Sequence, residues 1–133
     1  MKRQSRRTFL TSASLLTLGA AATAVPMQKE KSLVIHHVFF WLKNPKSIED
    51  RDKLVEGVKT LEKIETIRSI HVGIPASTTP RKVVDASYAV TELIFFDDLS
   101  GQSTYQDHPV HKEFVETYGH LWDRVVVYDS ATV

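Results

Sequence analysis

Two stretches of this sequence do not fit a sheet with one wet face. In Ser32 to Leu42, SLVIHHVFFWL, the residues Val34, Val38 and Phe40 alternate with Ile35, Phe39 and Trp41. In Asp85 to Phe96, DASYAVTELIFF, Val90, Ile94 and Phe96 alternate with Ala89, Leu93 and Phe95. Successive strand residues point to opposite faces, so both strands are apolar front and back. An antiparallel sheet with helices on one side normally turns a polar face to water. Leaving five or six such side chains wet would cost on the order of 10 kcal/mol at about 25 cal/mol per Å2, comparable with the whole stability of a domain. The chain has no spare element to cover the second face. The expectation is an obligate homodimer, packed sheet to sheet about a twofold axis.

The remaining elements follow from periodicity. Ser47-Ile48-Glu49-Asp50 has the spacing of a capping box, and Ile48, Leu54, Val55, Val58, Leu61 and Ile64 recur at helical intervals, predicting a helix over 47–64. Its other face is charged and solvated. Ile67 to Val72 reads as a short strand stopped by Gly73-Ile74-Pro75, and the irregular loop after it leads to the long strand ending at Asp97-Asp98. Leu99 to Gln106 can form a short helix. A second main helix runs from Pro109 toward Gly119, and Arg124 to Tyr128 makes the last strand. The order is β-α-β-β-α-β: an α+β, ferredoxin-like fold, a four-stranded antiparallel sheet with two helices on one face, doubled into a dimeric α/β barrel.

The first stretch belongs to no fold. MKRQSRRTFLTSASLLTLGAAATAVP opens with four basic and no acidic residues and continues with a modest apolar run. That run is shorter than the roughly 20 residues of a membrane-spanning helix, so no stable membrane anchor is expected. Ala22-Thr23-Ala24 has the small-x-small form of a signal peptidase site, and Ser5-Arg6-Arg7-Thr8-Phe9-Leu10 resembles a twin-arginine export signal. The expected organisation is a signal peptide over 1–24, a linker over 25–31 and one domain over 32–133. The twin-arginine export machinery would be a partner, and the destination the periplasm or beyond in a bacterium. Four of the 17 basic residues lie in the signal, leaving 13 against 16 acidic ones, a mature net charge of about −3. No basic patch remains for nucleic acid. The absence of cysteine excludes disulfides, thiolate nucleophiles and Cys-ligated zinc.

The chemistry-bearing run is Tyr105-Gln106-Asp107-His108-Pro109-Val110-His111. The residue before a proline is kept out of helical geometry, so His108 reads as the cap and Pro109 as the first helical residue. His111 then sits in the first turn, where the positive end of the helix dipole disfavours an imidazolium and leaves a neutral ring fit to act as a base. It shares a stripe with Val115, Tyr118 and Trp122. The blander readings are a helix cap at Asp107 and His108, a packed core histidine at His111 and a packing tyrosine at Tyr105. Asp107, His108 and His111 also have the ligand types of a zinc site. A cap and a first turn do not share a helix face, however, and no third ligand is fixed by spacing, so neither metal nor other cofactor is expected.

His37, Val72-Gly73, Asp85-Ala86-Ser87-Tyr88, Phe96-Asp97, Tyr105-x-x-His108-Pro109-x-His111, Trp122 and Tyr128-Asp129 together resemble the stress-responsive A/B barrel (Dabb) family, within the dimeric α+β barrel superfamily. The resemblance covers about residues 32 to 129. It implies the fold just derived. In the family's plant polyketide cyclase branch, a tyrosine and a histidine of this motif run an intramolecular aldol condensation without metal or cofactor. By position these are Tyr105 and His111, and His37 matches a cavity-facing histidine. The expected function is an exported protein of this family that binds a small apolar ligand in the dimer's barrel cavity, lined by His37, His108, Phe39, Trp41 and Trp122. The alternative is a cofactor-free cyclase or lyase with His111 as general base and Tyr105 as its hydrogen-bond partner.

Overall fold

The computed structural model describes residues 19–24 and 32–133. The twin-arginine pattern and the proposed linker lie outside the described residues; 19–24, which hold the cleavage motif, are irregular and exposed. Four strands, β1 (Val34–Leu42), β2 (Ile67–Gly73), β3 (Val90–Phe96) and β4 (Trp122–Ala131), form one sheet in the order β2-β3-β1-β4. Every neighbouring pair is antiparallel. Helix α1 (Ile48–Lys59) connects β1 to β2, and α2 (Leu99–Asp107) with α3 (Pro109–Tyr118) connects β3 to β4. This is the ferredoxin-like arrangement, with the second helical connection broken in two at His108-Pro109.

The helix starts are set by side chains that satisfy otherwise unbonded backbone N–H groups. Ser47 accepts from the Asp50 N–H at 3.1 Å, and Asp98 from that of Gly101 at 2.8 Å. His108 is extended (φ −65°, ψ 139°) and its Nδ1 accepts from the Val110 N–H at 3.1 Å, with Pro109 opening α3. The first helix is shorter than its apolar periodicity predicts. After Lys59 it tightens into a 3-10 turn, Thr60–Lys63, where the Thr60 hydroxyl donates to the Gly57 carbonyl at 2.6 Å.

The third strand also begins later than the sequence pattern suggests. Asp85 Oδ1 accepts from both the N–H and the hydroxyl of Ser87, at 2.9 and 2.6 Å, an Asx turn that competes with extended pairing. The chain rejoins the sheet near Ala89, whose N–H donates to the Phe40 carbonyl at 2.8 Å. The last strand runs the other way and exceeds the apolar run Arg124 to Tyr128, because pairing with β1 extends until Ala131 faces Val34.

The core lies between the sheet and the helices. Val34, Val38, Phe40 and Leu42 of β1 and Val90, Ile94 and Phe96 of β3 meet Leu54, Val58, Tyr105 and Phe114, all buried. Gly57 belongs to this packing: a Cβ there would lie 2.6 Å from the Tyr118 ring, so α1 and α3 approach as closely as only glycine permits. On the opposite face Ile35, His37, Phe39, Trp41, Leu93 and Phe95 are half-exposed, and Tyr128 is 65% exposed. The two-faced apolar pattern therefore persists in the folded chain, with one face covered and one open.

Candidate functional site

β1 is one of the two inner strands, and its residues alternate strictly between buried and half-buried. That alternation sends His36 to the helical side and His37 to the open side. His36 is 5% exposed, and its Nδ1 bonds Asp129 Oδ1 of β4 at 2.5 Å, directly across the strand pair. Its ring lies edge-on to Tyr105 with centroids 5.5 Å apart. Tyr105, on the last turn of α2, is in turn 4.7 Å from the ring of His111 on the first turns of α3. The break at His108-Pro109 is what lets two consecutive short helices aim a phenol and an imidazole at the same spot.

A fourth polar group completes the cluster. Glu92 of β3 stands between Val90 and Ile94 on the buried face and is 2% exposed. The Tyr105 hydroxyl donates to its Oε1 at 3.3 Å, and its Oε2 has no partner among the described residues. Burial pushes the Glu92 carboxyl up to about 8, against the milder opposing effect of the Tyr105 hydrogen bond. Burial likewise raises the Tyr105 phenol, and the nearby Glu92 charge and hydrogen bond push it further in the same direction. The His111 imidazole is lowered, first by burial and then by the positive charge His36 can carry, with the Gln106 backbone opposing. At neutral pH the cluster thus holds a neutral imidazole, an un-ionised phenol and a carboxyl that keeps its proton.

These groups border one pocket of about 220 Å3 between β1, β3, β4, α2 and α3, whose other walls include Val38, Phe40, Phe114, Trp122 and Val127. That is smaller than the roughly 300–1,000 Å3 of sites for drug-sized ligands. Trp122 stacks on Phe114 with centroids 5.5 Å apart and closes one wall. Val125 and Val127 of edge strand β4 are 38% and 44% exposed, so the pocket opens on that side.

The structure brings Tyr105, His111 and Trp122 together but separates the rest of the sequence-derived set. His37, Phe39 and Trp41 sit on the other face of the sheet, because an odd step along β1 reverses a side chain. There His37 lies 4.3 Å from Phe39 and Phe39 4.9 Å from Tyr88, while Trp41 donates to Ser87 at 3.0 Å and carries Arg124 over its ring at 4.3 Å. The pocket is consequently inside one subunit, between sheet and helices, rather than between two sheets. His108 is also outside it: its Nδ1 caps α3 and its Nε2 meets Glu65 at 3.1 Å, so both ring nitrogens are engaged. This divides Asp107, His108 and His111 as a ligand set, and among the described residues no three His, Asp or Glu side chains are grouped to hold a metal ion.

Three polar groups of this cluster were not among the candidate site residues drawn from the sequence: His36, Glu92 and Asp129. For Glu92 the signal was present, a lone carboxylate in phase with Val90, Ile94 and Phe96. For His36 and Asp129 it was not, since their pairing depends on the β1–β4 register.

Residues 34–132 match the model of the stress responsive A/B barrel domain (Dabb). The chain belongs to that family. Among solved structures it is similar to a Dabb family protein with a ferredoxin-like fold from Mesorhizobium loti, at 21% identity and a TM-score of 0.63, over 77% of this chain and 98% of that one. A dimeric ferredoxin-like protein of unknown function from Bacteroides fragilis is 21% identical, with a TM-score of 0.59 over 75% and 96% of the two chains. The hydroxynitrile lyase of Passiflora edulis is 16% identical, with a TM-score of 0.63 over 77% and 95%. Among curated proteins no relative matches. At these identities the likeness establishes the Dabb fold and leaves the chemistry to the residues themselves.

Proposed function

We propose that this Dabb protein is an exported, dimeric acid–base catalyst that takes a small, largely apolar molecule into the pocket between sheet and helices. The observation that carries the reading is the pair of rings Tyr105 and His111, 4.7 Å apart in the wall of one apolar pocket, with burial keeping His111 neutral. A neutral imidazole beside a phenol can take a proton from a ligand and return it. In a lyase direction His111 would accept the proton of a ligand hydroxyl. The C–C bond next to it would then break as a carbonyl forms, and the carbanion released would recover the proton from the imidazolium. A cyclase runs the same steps in reverse, and neither direction changes the proton count.

Support for dimerisation comes from the open apolar sheet face and from relatives described as dimeric, those of Bacteroides fragilis, Thermobifida fusca and Jannaschia. A second copy placed on that face would shelter Ile35, Phe39, Leu93 and Phe95 without touching the pocket's inner wall. Export is supported by Arg6-Arg7 ahead of Phe9-Leu10 and by the Ala22-Thr23-Ala24 motif. The test of the catalytic reading is an NMR titration of the His111 ring in the mature protein, alone and with small aromatic aldehydes and hydroxynitriles. The expected result is a midpoint below the ordinary imidazole value that moves when ligand is added. A His111 resonance indifferent to every such ligand would sink it.

A further inference from the structure

Glu92 has no part in the proton exchange between Tyr105, His111 and a ligand, yet it is a buried carboxyl in the pocket wall. A carboxyl buried without a cation and with one oxygen unpartnered is a heavy burden on folding, which a hydrocarbon side chain would not impose. None of the ion pairs among the described residues includes it. The groups around it are the Tyr105 hydroxyl from α2, then, beyond that ring, His36 of β1 with Asp129 of β4, and His111 of α3. Val72 of β2 stands opposite it in register, and the inward side chains of α1, Leu54 and Val58, are hydrocarbon. Among the described residues no permanent cation therefore faces it from any element packed on it.

We propose that Glu92 and Tyr105 form an oxyanion-holding pair, in which the protonated carboxyl donates a hydrogen bond, so that the pocket selects small ligands whose oxygen carries or develops negative charge, such as a phenolate or an enolate. The inference rests on the pocket being a ligand site, as proposed above. The geometry supplies one donor to a ligand, the protonated Glu92 carboxyl, held in place by the Tyr105 hydroxyl, which spends its own proton on that carboxyl. Tyr105 bonds one carboxyl oxygen of Glu92, and the other has no partner among the described residues. Donors fixed in a dry apolar wall stabilise developing negative charge far better than water does, and a neutral buried carboxyl beside a tyrosine is an established way to build them. A ligand oxygen at this place would also satisfy the unpartnered Oε2.

The experiment is equilibrium binding of 4-nitrophenol, a phenolate whose ionisation is visible by absorbance, and of 4-nitroanisole, its methylated counterpart, to the mature protein. 4-Nitrophenol is expected to bind better than the anisole and to be more ionised when bound than free at the same pH. Its affinity should fall about tenfold per pH unit once the pH passes the Glu92 value near 8, as the competent, protonated form is depleted. Glu92→Leu should weaken phenolate binding about tenfold or more and leave the anisole unaffected. Glu92→Gln, whose amide donates without titrating, should keep most of the affinity and flatten the pH profile. Equal binding of phenol and anisole, or a Glu92→Leu protein with wild-type affinity and pH profile, would overturn the inference while leaving the pocket a ligand site. If the wild type bound neither compound, the ligand site itself would fall, and the oxyanion pair with it.

Discussion

Replacing Glu92 by glutamine should make the protein more stable at alkaline pH and indifferent to the change at acid pH. In the folded chain the carboxyl titrates at about 8, against an ordinary value of 4.5. Below 4.5 the folded and unfolded forms both carry the proton, and burial costs no ionisation. Between the two values the folded protein holds a proton that the unfolded chain has released, so stability declines as pH rises, by about 1.4 kcal/mol per unit. Beyond about 8 the loss is complete and amounts to on the order of 4–5 kcal/mol, a large part of a small domain's stability. Glutamine has the same shape, keeps an oxygen for the Tyr105 hydroxyl and cannot ionise. Urea unfolding of the two proteins at equal protomer concentration, from pH 4.5 to above 8, measures the difference directly. His111, lowered by burial, contributes with the opposite sign below its ordinary value, but it is present in both proteins and cancels. Stability curves that run parallel across this window would show that Glu92 does not hold its proton, and the reasoning would fail with the oxyanion pair.

Other outcomes follow from the same packing. Tyr105→Phe removes the one hydrogen bond made to the Glu92 carboxyl among the described residues; it should cost about 1–3 kcal/mol in unfolding experiments and move the Glu92 titration still higher, since that bond favours the ionised form. Gly57→Ala should be destabilising by about 1–3 kcal/mol in spite of alanine's better helix propensity, because the new methyl meets the Tyr118 ring; a rise in Tm would contradict that contact. Phe39→Asp places a charge in the open apolar face and should convert a dimer to monomers in sedimentation experiments while leaving the 4-nitrophenol site intact. Ser47→Ala should lower stability by about 0.5–2 kcal/mol through loss of the α1 cap, read as a shift of the urea midpoint at constant slope.

The architecture was legible because its main signals are local. The two-faced apolar strands, Ser47 at a helix start and Pro109 after His108 each follow from one stretch of chain, and the structure carries the alternation, the Ser47 cap and the opening of α3 at Pro109. The beginning of β3 was not, since Asp85 and Ser87 engage each other and Trp41 in ways a β-rich composition does not reveal. The site was half legible. Tyr105 and His111 come from one motif and meet, but the choice between His36 and His37 depends on which side of the sheet the helices cover. Strand alternation says only that the two differ. The family resemblance selected His37, and the fold puts His36 against Tyr105. Glu92 illustrates another limit: sequence shows a charged residue in an apolar row, whereas only three dimensions show that no cation among the described residues answers it.

The alternation along β1 has a further meaning for how this chain can vary. One strand simultaneously supplies the pocket wall through His36, Val38 and Phe40 and the open surface through His37, Phe39 and Trp41. Amino acids on either side can be exchanged one at a time with effects confined to that side. Adding or deleting a single residue within the strand is different, because it would transpose the two sets, bringing His37 to face Tyr105 and turning the next rings inside out. Drift in composition is tolerable here; drift in length is not.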